Sequence, residues 1–180
     1  MLQEKYKKEV IPLMKEKFGY KNNLAVPRIE KVIVNIGIGS NFRDEQSQEL
    51  VAKDLALITG QKAVPTLAKK AVSAFKTRQG MVVGLKVTLR GKRMLDFISR
   101  LINIALPRTR DFRGIPVESI DSSGNLSIGI REHIIFPEFA TEDIKRIFGL
   151  EITVVTNAKK RDEAVELFKL IGFPIKEKKD

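Results

Sequence analysis

The chain has no cysteine and no tryptophan, and only one histidine and two tyrosines among its 180 residues. Without cysteine there is no disulfide framework, no thiolate metal cluster and no cysteine nucleophile. No apolar run approaches the length of a bilayer-spanning helix, and the amino terminus, Met1-Leu2-Gln3-Glu4-Lys5-Tyr6, lacks the apolar segment of a signal peptide. Neither a membrane span nor a secretory leader is therefore expected, and the expected location is the cytoplasm. A hydrophobic content of 43% with 31% charged residues fits a folded chain, and the length fits a single domain over residues 1–180.

Carboxylates are missing in one place above all. The formal net charge is +11, with Lys+Arg 33 against Asp+Glu 22, but it is not spread evenly. Residues 1–54 carry +2, residues 55–113 carry +11, and residues 114–180 carry −2, a near-neutral C-terminal third. From Leu55 to Leu95 there is no Asp or Glu, yet this stretch holds Lys62, Lys69, Lys70, Lys76, Arg78, Lys86, Arg90, Lys92 and Arg93. Folded surfaces normally intersperse the two signs, so a block of one sign repels itself unless a polyanion neutralises it. Nucleic acid is the expected partner. The basic residues alternate with strand-like and turn residues and do not line one helix face, which disfavours a membrane surface.

Residue periodicity predicts an antiparallel sheet covered by helices. Leu2, Tyr6, Val10, Leu13, Met14 and Phe18 recur at helical spacing up to Gly19. Ile29 to Ile38 alternates as a strand, with Val32, Val34 and Ile36 on one face. Asp44 is placed to cap a helix whose stripe is Leu50, Val51, Leu55 and Ile58, and which Gly60 ends. Residues 62–66 read as an edge strand because of Pro65, and Val82 to Arg90 as a strand with Lys86, Thr88 and Arg90 on its polar side. A helix from Met94 to Ala105 is expected to stop at Pro107. Strands at residues 126–130 and 152–156 and a helix over 160–171 complete the series. The inner six elements match a split β-α-β core of the ferredoxin-like kind, preceded by an N-terminal helix, with helices on one face of the sheet.

Two segments resist regular assignment. Residues 68–81 read as a long basic hairpin loop, and Leu106-Pro107-Arg108-Thr109-Arg110-Asp111-Phe112-Arg113-Gly114 as a turn with Arg108, Arg110 and Arg113 packed round one carboxylate.

Catalytic chemistry finds little support. Gly37-Ile38-Gly39 follows a strand and precedes a helix, but Phe42 stands where a dinucleotide-binding loop needs its third small residue. The two glycines would instead permit a bulge, a tight turn or close approach of a ligand. His133 has no second histidine with which to share a metal and is expected to be an ordinary strand or loop side chain. Asp111 with Asp121, or Glu142 with Asp143, lies in no apolar setting that would tune a general acid, and the latter pair is expected to start a helix. No cofactor or metal is called for. Stacking of unpaired bases is also disfavoured, because only Phe75 and Phe112 lie beside basic clusters. A polar sheet face bearing Asn35, Lys86, Thr88 and Arg90 is instead suited to the phosphates and 2′-hydroxyls of folded RNA. An RNA-modifying enzyme holding its substrate on this patch and a free regulatory RNA binder are the rival readings.

Several motifs, in order, carry a resemblance. Ala56-Leu57-Ile58-Thr59-Gly60-Gln61-Lys62, Lys86-Val87-Thr88-Leu89-Arg90, the Leu106–Gly114 segment and Ile135-Phe136-Pro137-Glu138 are similar to the bacterial family of large ribosomal subunit protein five, collinearly from about Lys5 to Pro174. The resemblance implies a small α+β protein of the central protuberance that binds 5S rRNA beside 23S rRNA and neighbouring large-subunit 5S-binding proteins. It also implies contact with P-site tRNA and an intersubunit bridge to a small-subunit head protein. Carried over by motif, the 5S rRNA-binding residues are Asn35, Gln61, Thr66, Lys86, Thr88 and Arg90. The tRNA-contacting loop carries Lys69, Lys70, Phe75, Lys76, Arg78 and Gln79, and Arg108, Arg110 and Arg113 form a further rRNA-binding or structural turn. Two departures each remove a cation: Leu67 replaces the arginine of Thr-Arg-Ala-Lys-Lys, and Ser123 that of Asp-Gly-Arg-Gly-Asn.

Overall fold

The computed structural model describes residues 2–39, 44–139 and 146–176. The chain begins with helix α1 over residues 2–18, made of Leu2–Lys5, a π-helical turn Tyr6–Val10 and Ile11–Phe18. Gly19, left-handed at φ 70°, ends it by donating its N–H to the Lys15 carbonyl. Strand β1 is Ile29–Gly37, and helix α2 is Glu45–Thr59, capped as expected by Asp44, whose Oδ2 accepts from Ser47 N–H at 2.9 Å.

Strands β2 (Val64–Leu67) and β3 (Val82–Leu89) form a hairpin and lead into helix α3 over residues 91–108. Pro107 does not end α3. The helix widens into a π-helical turn at Leu101–Ala105, so that Leu106 N–H bonds to the Leu101 carbonyl, and Pro107 falls in the short helical segment Leu106–Arg108 that follows. A proline lacking its N–H is tolerated at the start of such a segment, and the chain leaves the helix only at Thr109, ψ 132°. Beyond it come β4 (Ile115–Pro116), β5 (Leu126–Ile130), β6 (Leu150–Thr156), helix α4 (Arg161–Ile171) and β7 (Ile175–Lys176). Gly172, at φ 116°, closes α4.

The main sheet is antiparallel throughout, in the order β2-β3-β1-β6-β5. Its first half is the expected split β-α-β unit, with β3 inserted between β1 and β2. The strand on the other side of β1, however, is β6 and not residues 126–130, which form the edge strand β5. Length accounts for this: β6 has seven residues with four buried, whereas β5 has five. The longer apolar strand takes the position flanked on both sides. A separate parallel pair, β4 with β7, ties the C-terminal segment to the middle of the chain.

Alternation along each strand sends one set of side chains into the core. Val32, Val34 and Ile36 of β1, Leu85, Val87 and Leu89 of β3, and Leu126, Ile128 and Ile130 of β5 are buried with Leu55 and Ile58 of α2, Phe97, Ile98 and Leu101 of α3, and Leu167 and Phe168 of α4. Phe97 stacks on Phe136, centroids 5.9 Å apart. The alternate residues point to the opposite face of the sheet, where Lys31, Ile33, Asn35, Thr88, Thr153 and Val155 are only half-buried and Lys86, Ser127, Gly129 and Glu151 are exposed.

Candidate nucleic-acid interface

The strand register aligns the helix-free face in rows. One row runs Val64, Lys86, Asn35, Glu151, Gly129 across all five strands; the next runs Thr88, Ile33, Thr153, Ser127. A third places Thr66 beside Gly84 and Gly84 beside Gly37. Asn35, Thr66, Lys86 and Thr88 thus share one surface although they come from three strands. Arg90 lies one residue beyond β3, extended and exposed, immediately before α3. Gln61 is tied in differently: its Nε2 donates to the Thr88 carbonyl at 3.1 Å, linking the approach to β2 with β3.

The two glycines of the third row differ, Gly84 being buried and Gly37 exposed. At Gly84 a methyl group would sit 2.8 Å from the Ile36 carbonyl oxygen, so only glycine allows β3 to lie this close to β1. Gly37 has open space where a side chain would be and neither a left-handed φ nor a bulge; the irregularity in β1 lies between Ile29 and Lys31. Of the three alternatives, Gly37 shows neither the bulge nor the turn and leaves an open backbone surface, while residues 40–43, which follow Gly39, lie outside the described residues.

The loop over residues 68–81 continues the β2–β3 hairpin. It is a second, smaller hairpin: Val72 and Thr77 exchange N–H···O bonds of 3.1 and 3.2 Å around the turn Ser73–Phe75, with Lys76 left-handed at φ 50°. Ala68 N–H reaches the Met81 carbonyl and Gly80 N–H the Ala68 carbonyl, closing its base. Lys69, Lys70, Lys76, Arg78 and Gln79 flank this turn and all are exposed, while the Phe75 side chain lies outside the described residues.

The arginine-rich turn differs from expectation. Arg108, Arg110 and Arg113 do not pack round Asp111: among the described residues no ion pair joins any of them to it, and Asp111 is itself exposed and left-handed at φ 52°. Arg108 and Arg110 border a cleft against β5.

His133 is structural. It is 1% exposed, lies flat on Phe148 and meets the edge of Phe139, and its Nδ1 accepts from the Phe148 N–H at 3.4 Å. Burial pushes its pKa below the ordinary imidazole value. Asp121 is engaged in a turn: burial pushes its carboxyl up, but the backbone and side-chain N–H groups of Asn125, together with the backbone N–H groups of Ser123 and Gly124, outweigh this and hold it below the usual range. These bonds, with Gly124 at φ 79°, set the loop without any side-chain bond from residue 123, so Ser123 removes a charge and leaves the turn intact. Glu142 and Asp143 lie outside the described residues.

Two contributors escaped the sequence reading. Glu151 faces Asn35 on the open side and divides the surface into a cationic half, β2 and β3, and an acidic margin. Arg28, which precedes β1, lines a cleft of about 550 Å³ with Arg90. Its signal was its position after Pro27 at a strand entry, outside the carboxylate-free block.

A helix-free polar face and an adjoining cationic hairpin have the chemistry suited to a polyanion, His133 is sequestered among aromatic rings, and no acid–base centre is assembled among the described residues. Residues 22–78 match the family model of ribosomal protein L5, and residues 82–175 match the model of that ribosomal family's C-terminus. The large ribosomal subunit protein uL5 of Halothermothrix orenii is 52% identical over 174 residues, covering 97% of each chain. Those of Dictyoglomus turgidum and Carboxydothermus hydrogenoformans are 52% and 49% identical, with coverage of 98% of both chains and of 96% of this chain and 97% of the relative. The chain belongs to the ribosomal protein L5 family. It is accordingly a structural, non-enzymatic constituent of the large ribosomal subunit, with its place in the cytoplasmic ribosome.

Proposed function

We propose that the helix-free face binds 5S rRNA through Asn35, Thr66, Lys86, Thr88 and Arg90, with Gln61 holding the edge of that surface. The loop at residues 68–81 contacts P-site tRNA, and the protein helps bridge to the small-subunit head beside 23S rRNA and neighbouring 5S-binding proteins. The observation that carries the reading is the cationic half of the sheet. Lys86 stands between Val64 and Asn35, no carboxylate lies on the open side of β2 or β3, and Gly37, exposed and with open space where a side chain would be, lets a sugar–phosphate backbone approach. The loop rises from the same hairpin but presents its charges around its own turn, which supports two separate RNA contacts.

Filter binding of 5S rRNA across a salt series tests this. Neutralising several phosphates makes log affinity fall linearly with log salt, with a slope of roughly 0.7 to 0.9 per contact. A flat salt response would refute the reading.

A further inference from the structure

We propose that the free edge of β5 takes up an extended acidic segment of another polypeptide as a sixth strand. The two edges of the main sheet are unlike. β2 is guarded, with Pro65 in the strand and a bulge between Thr66 and Leu67, two of the devices by which sheets avoid further pairing. β5, Leu-Ser-Ile-Gly-Ile, has no proline, no charge and no bulge, and an isolated bridge from Ile120 reaches only its first residue. From residue 128 to 130, beyond the reach of that bridge, no backbone hydrogen bond among the described residues comes from the side away from β6. Gly129 adds no side chain on the exposed face, and space around it is open.

The edge runs along a cleft of about 590 Å³, which Arg108, Arg110 and Arg131 border together with Asp111 and Glu132. Among the described residues none of these arginines has a carboxylate within salt-bridge distance. Three such guanidinium groups beside an unpaired edge select the occupant. A strand edge offers N–H donors and carbonyl acceptors in alternation, which a polypeptide matches with its own and a phosphate backbone, rich in acceptors, does not. The arginines favour Asp or Glu on alternate residues of that segment. A second copy of this chain would bring its own arginines against these three. The inference is independent of the 5S rRNA reading, because β5 lies at the far side of Glu151 from Lys86.

The test uses the full chain and a short fluorescein-labelled peptide alternating glutamate with valine or threonine, followed by fluorescence anisotropy and by amide hydrogen exchange at residues 128–130. Saturable binding with slowed exchange at those residues is expected, and Arg108→Ala with Arg110→Ala should weaken it by about tenfold or more. Methylating the backbone nitrogens of one of the two alternate sets of peptide residues should abolish binding, since one set donates to the edge. No binding, or binding unaffected by either methylation pattern, overturns the proposal without any chain variant having to fold. Protection of residues 128–130 by a short oligouridylate in preference to the peptide, or by self-association seen in sedimentation, overturns it too. None of these outcomes bears on 5S rRNA affinity at Lys86.

Discussion

Gln61 Nε2 donates to the main-chain carbonyl of Thr88 across 3.1 Å, so a residue outside any strand fixes the spacing between the β2 approach and β3. Both residues belong to the set that the motif resemblance marked, but their link is a positioning one. Gln61→Ala should therefore lower 5S rRNA affinity equally at every salt concentration and leave the salt slope unchanged, because no charge is removed; filter binding at several ionic strengths checks it.

Charge removal should behave otherwise. Lys86→Ala with Arg90→Ala should weaken 5S rRNA binding and flatten the salt slope by about one for each phosphate no longer neutralised. Lys69→Ala with Lys76→Ala should spare 5S affinity and instead impair tRNA placement in toeprinting of reconstituted ribosomes. Equal losses of 5S affinity in both pairs would show a single continuous RNA surface.

Gly84→Ala tests the close approach of β3 to β1. The added methyl meets the Ile36 carbonyl oxygen at 2.8 Å, and backbone cannot step aside as a flexible side chain does. A destabilisation of about 1–3 kcal/mol in urea unfolding is expected. Gly37→Ala, whose new methyl meets open space, should cost much less. The comparison separates steric crowding from the general penalty of changing a strand glycine.

Arg100 joins three elements: its Nη2 donates to the Ile58 carbonyl at the end of α2, at 2.9 Å, and its Nη1 pairs with Glu138. Removing it leaves both acceptors without this donor. Arg100→Ala should cost about 2 kcal/mol, and Glu138→Ala less, since Arg100 keeps its bond to Ile58. Thermal unfolding of the two single variants and the double variant would show the coupling.

The buried imidazole of His133 sets a pH dependence. Burial lowers its pKa in the folded chain, so the unfolded chain takes up a proton at a pH where the folded one remains neutral. Stability from this group is complete above the unfolded value of about 6.5 and declines as the pH falls from there toward the lower folded value. His133→Phe keeps a ring against Phe148, and its stability should change less than the parent's between about pH 7 and pH 5.5 in urea titrations.

Most of the architecture could be read from periodicity. β1 and β3 alternate without interruption, and Asp44, Gly60 and Gly172 mark helix ends through capping chemistry that is local in sequence. What could not be read was set by distant partners. That β6 and not β5 lies beside β1 depends on competition between two apolar strands for one position, which the longer takes, and their similar alternation hides that difference in length. Pro107 misled because a proline normally stops a helix, and the π-helical turn that accommodates it depends on packing. The cationic half of the candidate site was legible from the carboxylate-free stretch because β2, the loop and β3 are contiguous. Glu151, far along the chain from all three, joins them only through the register of β6 on β1.

The order of strands also has a meaning in time. β1 finds β3 and β2 within residues 29–89, whereas its other neighbour ends at Thr156, near the close of the chain. During synthesis the residues of the cationic hairpin and its loop are made before β6, which carries the acidic margin at Glu151. The order of synthesis thus supplies every residue of the cationic hairpin before Glu151, the carboxylate that comes to border it.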